Sequence, residues 1–194
     1  MMTQAEIRNR LKDKTVGIAG CGGLGSNAAI SLARIGVCSF VIVDFDHVDE
    51  SNLNRQYYFR EQIGDRKVDA LSLNMTRINK AIRIESHAVR IESEDVKTLF
   101  GKCDIIIEAF DRADAKTMLI ETVMEHLPQI PLIVGNGMAG IGGFQDLRIV
   151  HWSENVYVCG DGSSEISDEL PPLAPRVAIV ANMQANLALE LLIK

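Results

Sequence analysis

Val16-Gly17-Ile18-Ala19-Gly20-Cys21-Gly22-Gly23-Leu24-Gly25-Ser26 is the stretch on which the fold turns. An apolar run, a cluster of glycines and an apolar-periodic stretch from Leu24 to Ile35 follow one another, which reads as strand, tight turn and helix. Positions without side chains let the backbone turn sharply and come close to a polyphosphate. The free N–H groups and positive dipole end of the helix favour an anion there. Gly20, Gly22, Gly23, Leu24 and Gly25 are therefore candidate nucleotide contacts. The turn by itself fits dinucleotide-binding dehydrogenases as well as ATP enzymes.

Working outward, β-rich runs at Thr15–Ala19, Ser39–Asp44, Ile82–Ala88, Asp104–Glu108 and Ile130–Val134 alternate with helical patterns at Leu24–Ile35, Asp65–Asn79, Ser93–Phe100 and Ala113–Leu127. Ser93 is the expected N-cap of its helix. Such alternation predicts an α/β fold of the Rossmann-like, doubly wound kind with a mainly parallel sheet. The pattern changes after Pro131: Gly135-Asn136-Gly137, Gly140 and Gly142-Gly143 precede Phe144–Val150, which reads as an antiparallel strand added in the C-terminal third. Residues 159–173, rich in Gly, Ser, acids and Pro, read as a mobile loop and a candidate substrate gate. The last helix, Arg176 to Ile193, is apolar on most faces, which suits burial against the sheet or a subunit interface.

The chain has 194 residues and 47% hydrophobic content, enough for one well-cored domain over 1–194. A formal charge of −6 with no run of Lys and Arg longer than a pair argues against nucleic acid and anionic membranes as partners. No basic leader with an apolar stretch opens the chain. Asn182, Gln184, Asn186 and Glu190 interrupt its most apolar segment, so a cytoplasmic protein is expected. Cys21, Cys38, Cys103 and Cys159 form no Cys-x-x-Cys pair, and no zinc is expected.

Three segments separate the hypotheses. The second strand ends in Asp44-Phe45-Asp46, and Asp44 stands near the ~20-residue spacing at which an acid accepts hydrogen bonds from ribose hydroxyls. Asp46 is a weaker candidate. Ser51-Asn52-Leu53-Asn54-Arg55-Gln56 and then Lys67 supply cations and amides for which a nicotinamide site has little use. Cleavage of ATP at the α-phosphate does need them, because an approaching carboxylate about 4 Å from a phosphate charge is repelled by about 4 kcal/mol at an effective dielectric near 20. Arg55 offers a bidentate fork, Lys67 a point charge, and Asn52, Asn54 and Gln56 orient groups without adding charge. Finally, Asp104–Phe110 delivers Asp111 to the carboxyl edge, where it could hold Mg²⁺ on ATP phosphates or cap the helix starting near Ala113. Glu108 and Asp114 stand behind it as candidates. His47, His87, His126 and His151 are scattered, which leaves a dehydrogenase without a proton-transfer residue.

Taken together, the Gly-Cys-Gly-Gly-Leu-Gly-Ser turn, Asp44-Phe45-Asp46, Ser51–Gln56, Lys67 and Asp111 resemble the adenylating domain shared by ubiquitin-activating enzymes and their bacterial relatives ThiF and MoeB. Leu173–Val177 and Gln184–Asn186 are similar to runs in the short ThiF-like proteins of thiamine biosynthesis. The resemblance implies adenylation of the C-terminal Gly-Gly carboxylate of a ubiquitin-like sulfur carrier, ThiS-like, with release of pyrophosphate. It implies ATP and Mg²⁺ as cofactors and a homodimer. By position, the glycines hold phosphate, Asp44 holds ribose, Arg55 and Lys67 stabilise charge during displacement, Asp111 binds Mg²⁺, and Asn52 and Gln56 support the nucleotide. No general base is needed, because the attacking carboxylate is ionised at neutral pH. A molybdopterin-type carrier, a small carboxylate, a tRNA base and a non-catalytic nucleotide-binding subunit stay open. The family's partner-subunit arginine has only Arg8 and Arg10 as stand-ins, and Cys159 is a candidate for sulfur transfer.

Overall fold

The computed structural model describes residues 2–194. Its seven strands form one sheet in the order β3-β2-β1-β4-β5-β7-β6. β1 (Thr15–Ala19), β2 (Ser39–Val43), β3 (Arg83–His87), β4 (Ile105–Glu108), β5 (Leu132–Gly135) and β7 (Val156–Gly160) run parallel, and β6 (Arg148–Ser153) pairs antiparallel with β7. The helices are α1 (Gln4–Leu11), α2 (Gly23–Ile35), α3 (Lys67–Ile78), α4 (Ser93–Phe100), α5 (Ala113–His126) and α6 (Ala174–Ile193).

A central strand covered on both sides is apolar along most of its length, and Ile105–Ile107 of β4 is the clearest case, with Glu108 the buried exception at its carboxyl end. Ile105 and Ile107 face a core built from α2, α3 and α6, including Leu32, Leu71 and Val180, while Ile106 faces Phe100, Leu119 and Val123 of α4 and α5. Strand order reverses between β1 and β4, which opens a crevice at their carboxyl ends. Two glycines shape that point. Gly20 adopts φ +95, and a Cβ there would meet Ala109 O at 2.7 Å. A Cβ on Gly25 would meet Gly20 O at 1.8 Å, so only a bare backbone lets α2 start this close to β1.

The C-terminal third departs from the sequence expectation. Val156–Gly160 is a strand, so the expected loop of 159–173 begins at Asp161. Val156-Tyr157-Val158 carries strand propensity, but the run is short and passes directly into Cys-Gly-Asp-Gly; pairing with β5 on one side and β6 on the other extends it to Gly160. Phe144–Asp146 is a 3-10 turn entered from Gly143, and the antiparallel strand starts at Arg148, where β7 first offers a partner in Gly160. Glu92 stands at the N-cap of α4 in place of Ser93, and its N–H donates to Asp95 Oδ2 at 3.0 Å. In α6, Val177, Val180, Ala181, Ala185 and Ala188 are buried in the core, which accounts for its apolar character, while Ile179 is exposed.

Candidate nucleotide site

A cavity of about 610 Å³ lies over the carboxyl ends of β1, β2 and β4. Gly20, Gly22, Gly23 and Leu24 form its floor. Asp44, at the end of β2, accepts hydrogen bonds from Cys21 N at 2.6 Å and Asp46 N at 2.8 Å, so the candidate ribose acid also clamps the glycine turn to its neighbour strand. Burial pushes the Asp44 carboxyl above its ordinary value, against the opposing pull of the Lys67 charge and these hydrogen bonds.

Lys67 opens α3, and its side chain is only 7% exposed. Its Nζ stands 2.7 Å from Asp46 Oδ2 and its own N–H donates to Asp46 O, which fixes the ammonium on the cavity wall. A buried cation needs a partner, and Asp46 supplies it while remaining 44% exposed toward solvent. Asp46 therefore acts through Lys67. Arg55 lines the same wall, with Nη1 donating to Ser51 O at 3.2 Å and Asn54 Oδ1 at 2.8 Å. Those bonds use one nitrogen of the guanidinium and leave the rest of the fork for a ligand. Gln56 also lines the wall, and its buried Oε1 has no partner among the described residues.

Asp111 lines the cavity after β4 and is exposed. The N-cap of α5 is Arg112, without a side-chain cap, so Asp111 is left free of the capping alternative. Among the described residues no three His, Cys, Asp or Glu side chains gather in a way that could hold a metal ion. A lone carboxylate fits a magnesium ion that arrives already held by phosphates and water.

Other expected residues lie off the wall. Asn52 Oδ1 accepts from Asp49 N at 3.1 Å and shapes the loop; Asn54 braces Arg55; Gly25 packs beneath the floor. Glu108 is fully buried, taking Phe110 N–H at 2.7 Å and the Lys116 ammonium; Asp114 alone among these lines the cavity, but its carboxylate is bound by Arg112. Neither is presented to a ligand in the way Asp111 is. Cys159 is fully buried, and burial pushes its thiol up to about 12, so it offers no thiolate for sulfur transfer. Arg10 donates to Ile193 O and Arg8 lies against Gly36, and neither lines the cavity.

Sequence reasoning missed Arg90, whose guanidinium carbon stands 4.7 Å from the centre of the Phe45 ring. Its one signal was position, since it follows a strand that ends at the crevice. Met118, Met138, Ile166, Pro172 and Val177 complete an apolar part of the cavity lining. Four cationic side chains, Arg55, Lys67, Arg90 and Arg112, thus line the cavity around a glycine floor together with Asp44, Asp46, Glu92, Asp111 and Asp114; Asp46 pairs with Lys67 and Asp114 with Arg112, so among the described residues Arg55 and Arg90 are the cations not paired with a carboxylate of the cavity. That combination suits a polyanion bearing a sugar and a metal.

The ThiF family model matches residues 2–194. The chain is 41% identical over 119 residues to ubiquitin-like modifier-activating enzyme 5 of Drosophila persimilis, covering 55% of this chain and 31% of that protein. It is 30% identical over 166 residues to the probable adenylyltransferase/sulfurtransferase MoeZ of Mycobacterium tuberculosis, covering 85% and 41%. The chain therefore spans less than half the length of these curated relatives. Among solved structures, the E. coli tRNA N6-threonylcarbamoyladenosine dehydratase TcdA in complex with ATP superposes with a TM-score of 0.86 at 19% identity, over 96% of this chain and 88% of that one. This second likeness is one of fold. With a family match running from the second residue to the last, the chain belongs to the ThiF family.

Proposed function

We propose that this protein uses MgATP to adenylate the C-terminal carboxylate of a ubiquitin-like sulfur carrier ending in Gly-Gly, ThiS-like, and releases pyrophosphate. The observation that carries the reading is the convergence of Arg55 and Lys67 on one cavity wall beside the glycine floor. An anionic acceptor reaches the α-phosphate only where the charge of the triphosphate is neutralised, and cations fixed in place beforehand do this without reorganising during the reaction. Lys67 is fixed by burial and Asp46, and Arg55 by Ser51 and Asn54. Asp44 holds the ribose. Asp111 holds the magnesium ion, which supplies further neutralisation of the phosphates when bound. The remaining work is alignment of an already ionised carboxylate with the phosphorus. Homodimer formation belongs to the same proposal.

ATP–pyrophosphate exchange measured with and without Gly-Gly-terminated carriers tests it. Exchange that depends on one carrier supports adenylation; its absence with every carrier, alongside intact ATP binding, rejects it. Arg55→Ala and Lys67→Ala are each expected to lower exchange at least tenfold, about 1.4 kcal/mol of barrier. Wild-type rates in either variant would remove that residue from the mechanism.

A further inference from the structure

The cavity has a roof made from two irregular segments, residues 137–143 and 161–172, which contribute Met138, Ile166 and Pro172 to its lining. Gly140 N–H donates to Pro171 O at 3.0 Å, and Ala139 N–H to Ser164 Oγ at 3.2 Å. Arg176 then bridges the two, Nη1 donating to Gly142 O and Nη2 to Asp161 Oδ2. Asp161 Oδ1 accepts in turn from the N–H groups of Ser163 and Ser164, each at 2.7 Å. The side chains of Arg176 and Asp161 are 9% and 6% exposed, so this charge-assisted bond is shielded from water. Burial acts to raise the Asp161 carboxyl, but the bonds from Ser164, Ser163 and Arg176 outweigh it and hold the group well below the usual carboxylate range.

Arg176 sits in the first turn of α6, where the positive end of the helix dipole disfavours a cation. Helix formation does not explain an arginine here; attachment of the roof does. The next residue faces the floor: a Cβ on Gly23 would lie 2.9 Å from Val177 Cγ1. Consecutive residues of α6 thus hold the phosphate turn and the roof.

We propose that Arg176, through Gly142 and Asp161, is a positioning residue for the acceptor, latching the two roof segments into a fixed passage for an incoming chain end. The latch itself is a property of the free protein, whereas its use by an acceptor rests on the adenylation reading. On the adenylation reading ATP lies against the glycine floor and the charged wall, so loosening the roof affects the acceptor and spares the nucleotide.

Asp161→Asn keeps the size of the side chain and removes the ion pair, and Arg176→Lys keeps the charge and loses the fork. In Asp161→Asn, amide hydrogen exchange across 163–172 is expected to quicken about tenfold or more while α3 and α5 keep their protection. MgATP affinity should stay within about twofold, and KM for a ThiS-type Gly-Gly carrier should rise about tenfold with kcat within about threefold. Arg176→Lys should fall between wild type and Asp161→Asn. Unchanged amide exchange in 163–172, or MgATP affinity falling by the same factor as the carrier KM rises, overturns the latch. If the wild-type protein supports exchange with no carrier, the adenylation reading fails by itself. Amide exchange and MgATP titration then decide the latch alone: quickened exchange with unchanged affinity upholds it, and any other pairing rejects it.

Discussion

The floor and the roof of the cavity are built on different principles. The floor is regular structure: the ends of β1, β2 and β4 and the start of α2, joined by a turn in which Gly20 and Gly25 are demanded by backbone in contact with backbone. The roof is irregular chain, held by a few side-chain attachments such as Arg176 with Asp161 and Leu170 against Gly140. A floor of this kind tolerates no change of shape, while a roof of this kind depends on individual side chains and can be loosened without unfolding the protein. On the proposed reading the charge chemistry belongs to the wall rising from this floor, and the roof supplies geometry.

A pair of glycine substitutions puts the largest effect on that difference. A Cβ on Gly25 would press on the Gly20 carbonyl at 1.8 Å, and neither backbone can yield without moving α2 off β1. Gly25→Ala should cost about 3 kcal/mol by overpacking, a fall in Tm of roughly 6–12 °C, and abolish MgATP binding. Gly142, in the roof, has open space around it and φ +71, so an alanine there meets only the left-handed backbone penalty, about 1–2 kcal/mol. Equal losses of Tm in the two variants would erase the distinction between rigid floor and pinned roof.

The same distinction explains what the sequence could disclose. β1 and β4 lie between two layers, so their runs are apolar by necessity, and the glycine turn between β1 and α2 follows from steric rules that leave few residue choices. Asp44, Arg55, Gln56, Lys67 and Asp111 follow the ends of regular elements or a recognisable loop, and all of them stand on the cavity wall. By contrast, the extent of β7 is set by β5 and β6, and Asp161 owes its burial to an arginine on the helix that follows the roof segment. Such partnerships leave no periodic trace. Arg90 was illegible for a related reason, because its place over Phe45 joins the ends of two strands that are distant in sequence.

A smaller effect separates chemistry from stability within the floor. Burial raises the folded-state pKa of Asp44, so the stability this group contributes is present below its unfolded pKa and is lost as pH rises through the folded value. At neutral pH the ionised carboxylate therefore burdens the free protein in exchange for a ribose acceptor. Asp44→Asn should melt at or above wild type at pH 7, with the gap closing as the pH falls through the raised folded value toward that of an ordinary aspartate, by which point the wild-type carboxyl has taken up its proton. MgATP affinity should nevertheless drop about tenfold. A variant that melts below wild type by the same margin at every pH would show that Asp44 serves the fold more than the ligand.

The smallest effect is expected where the roof begins. Cys159 is the penultimate residue of β7, just before the roof segment that begins at Asp161, near enough to the carrier's proposed path to invite a role in sulfur chemistry. Its side chain is fully buried, its thiol is pushed up to about 12, and it does not line the cavity. A thiol in that state is almost wholly protonated at neutral pH, and only the thiolate is a competent nucleophile. It behaves as a small apolar side chain in the core beneath the sheet. Cys159→Ala should therefore leave carrier-dependent pyrophosphate exchange within about twofold of wild type and cost about 1 kcal/mol of stability for the small void. If exchange instead collapses while Tm holds, the roof takes part in the chemistry, and the division between a reactive floor and a shaping roof no longer describes this protein.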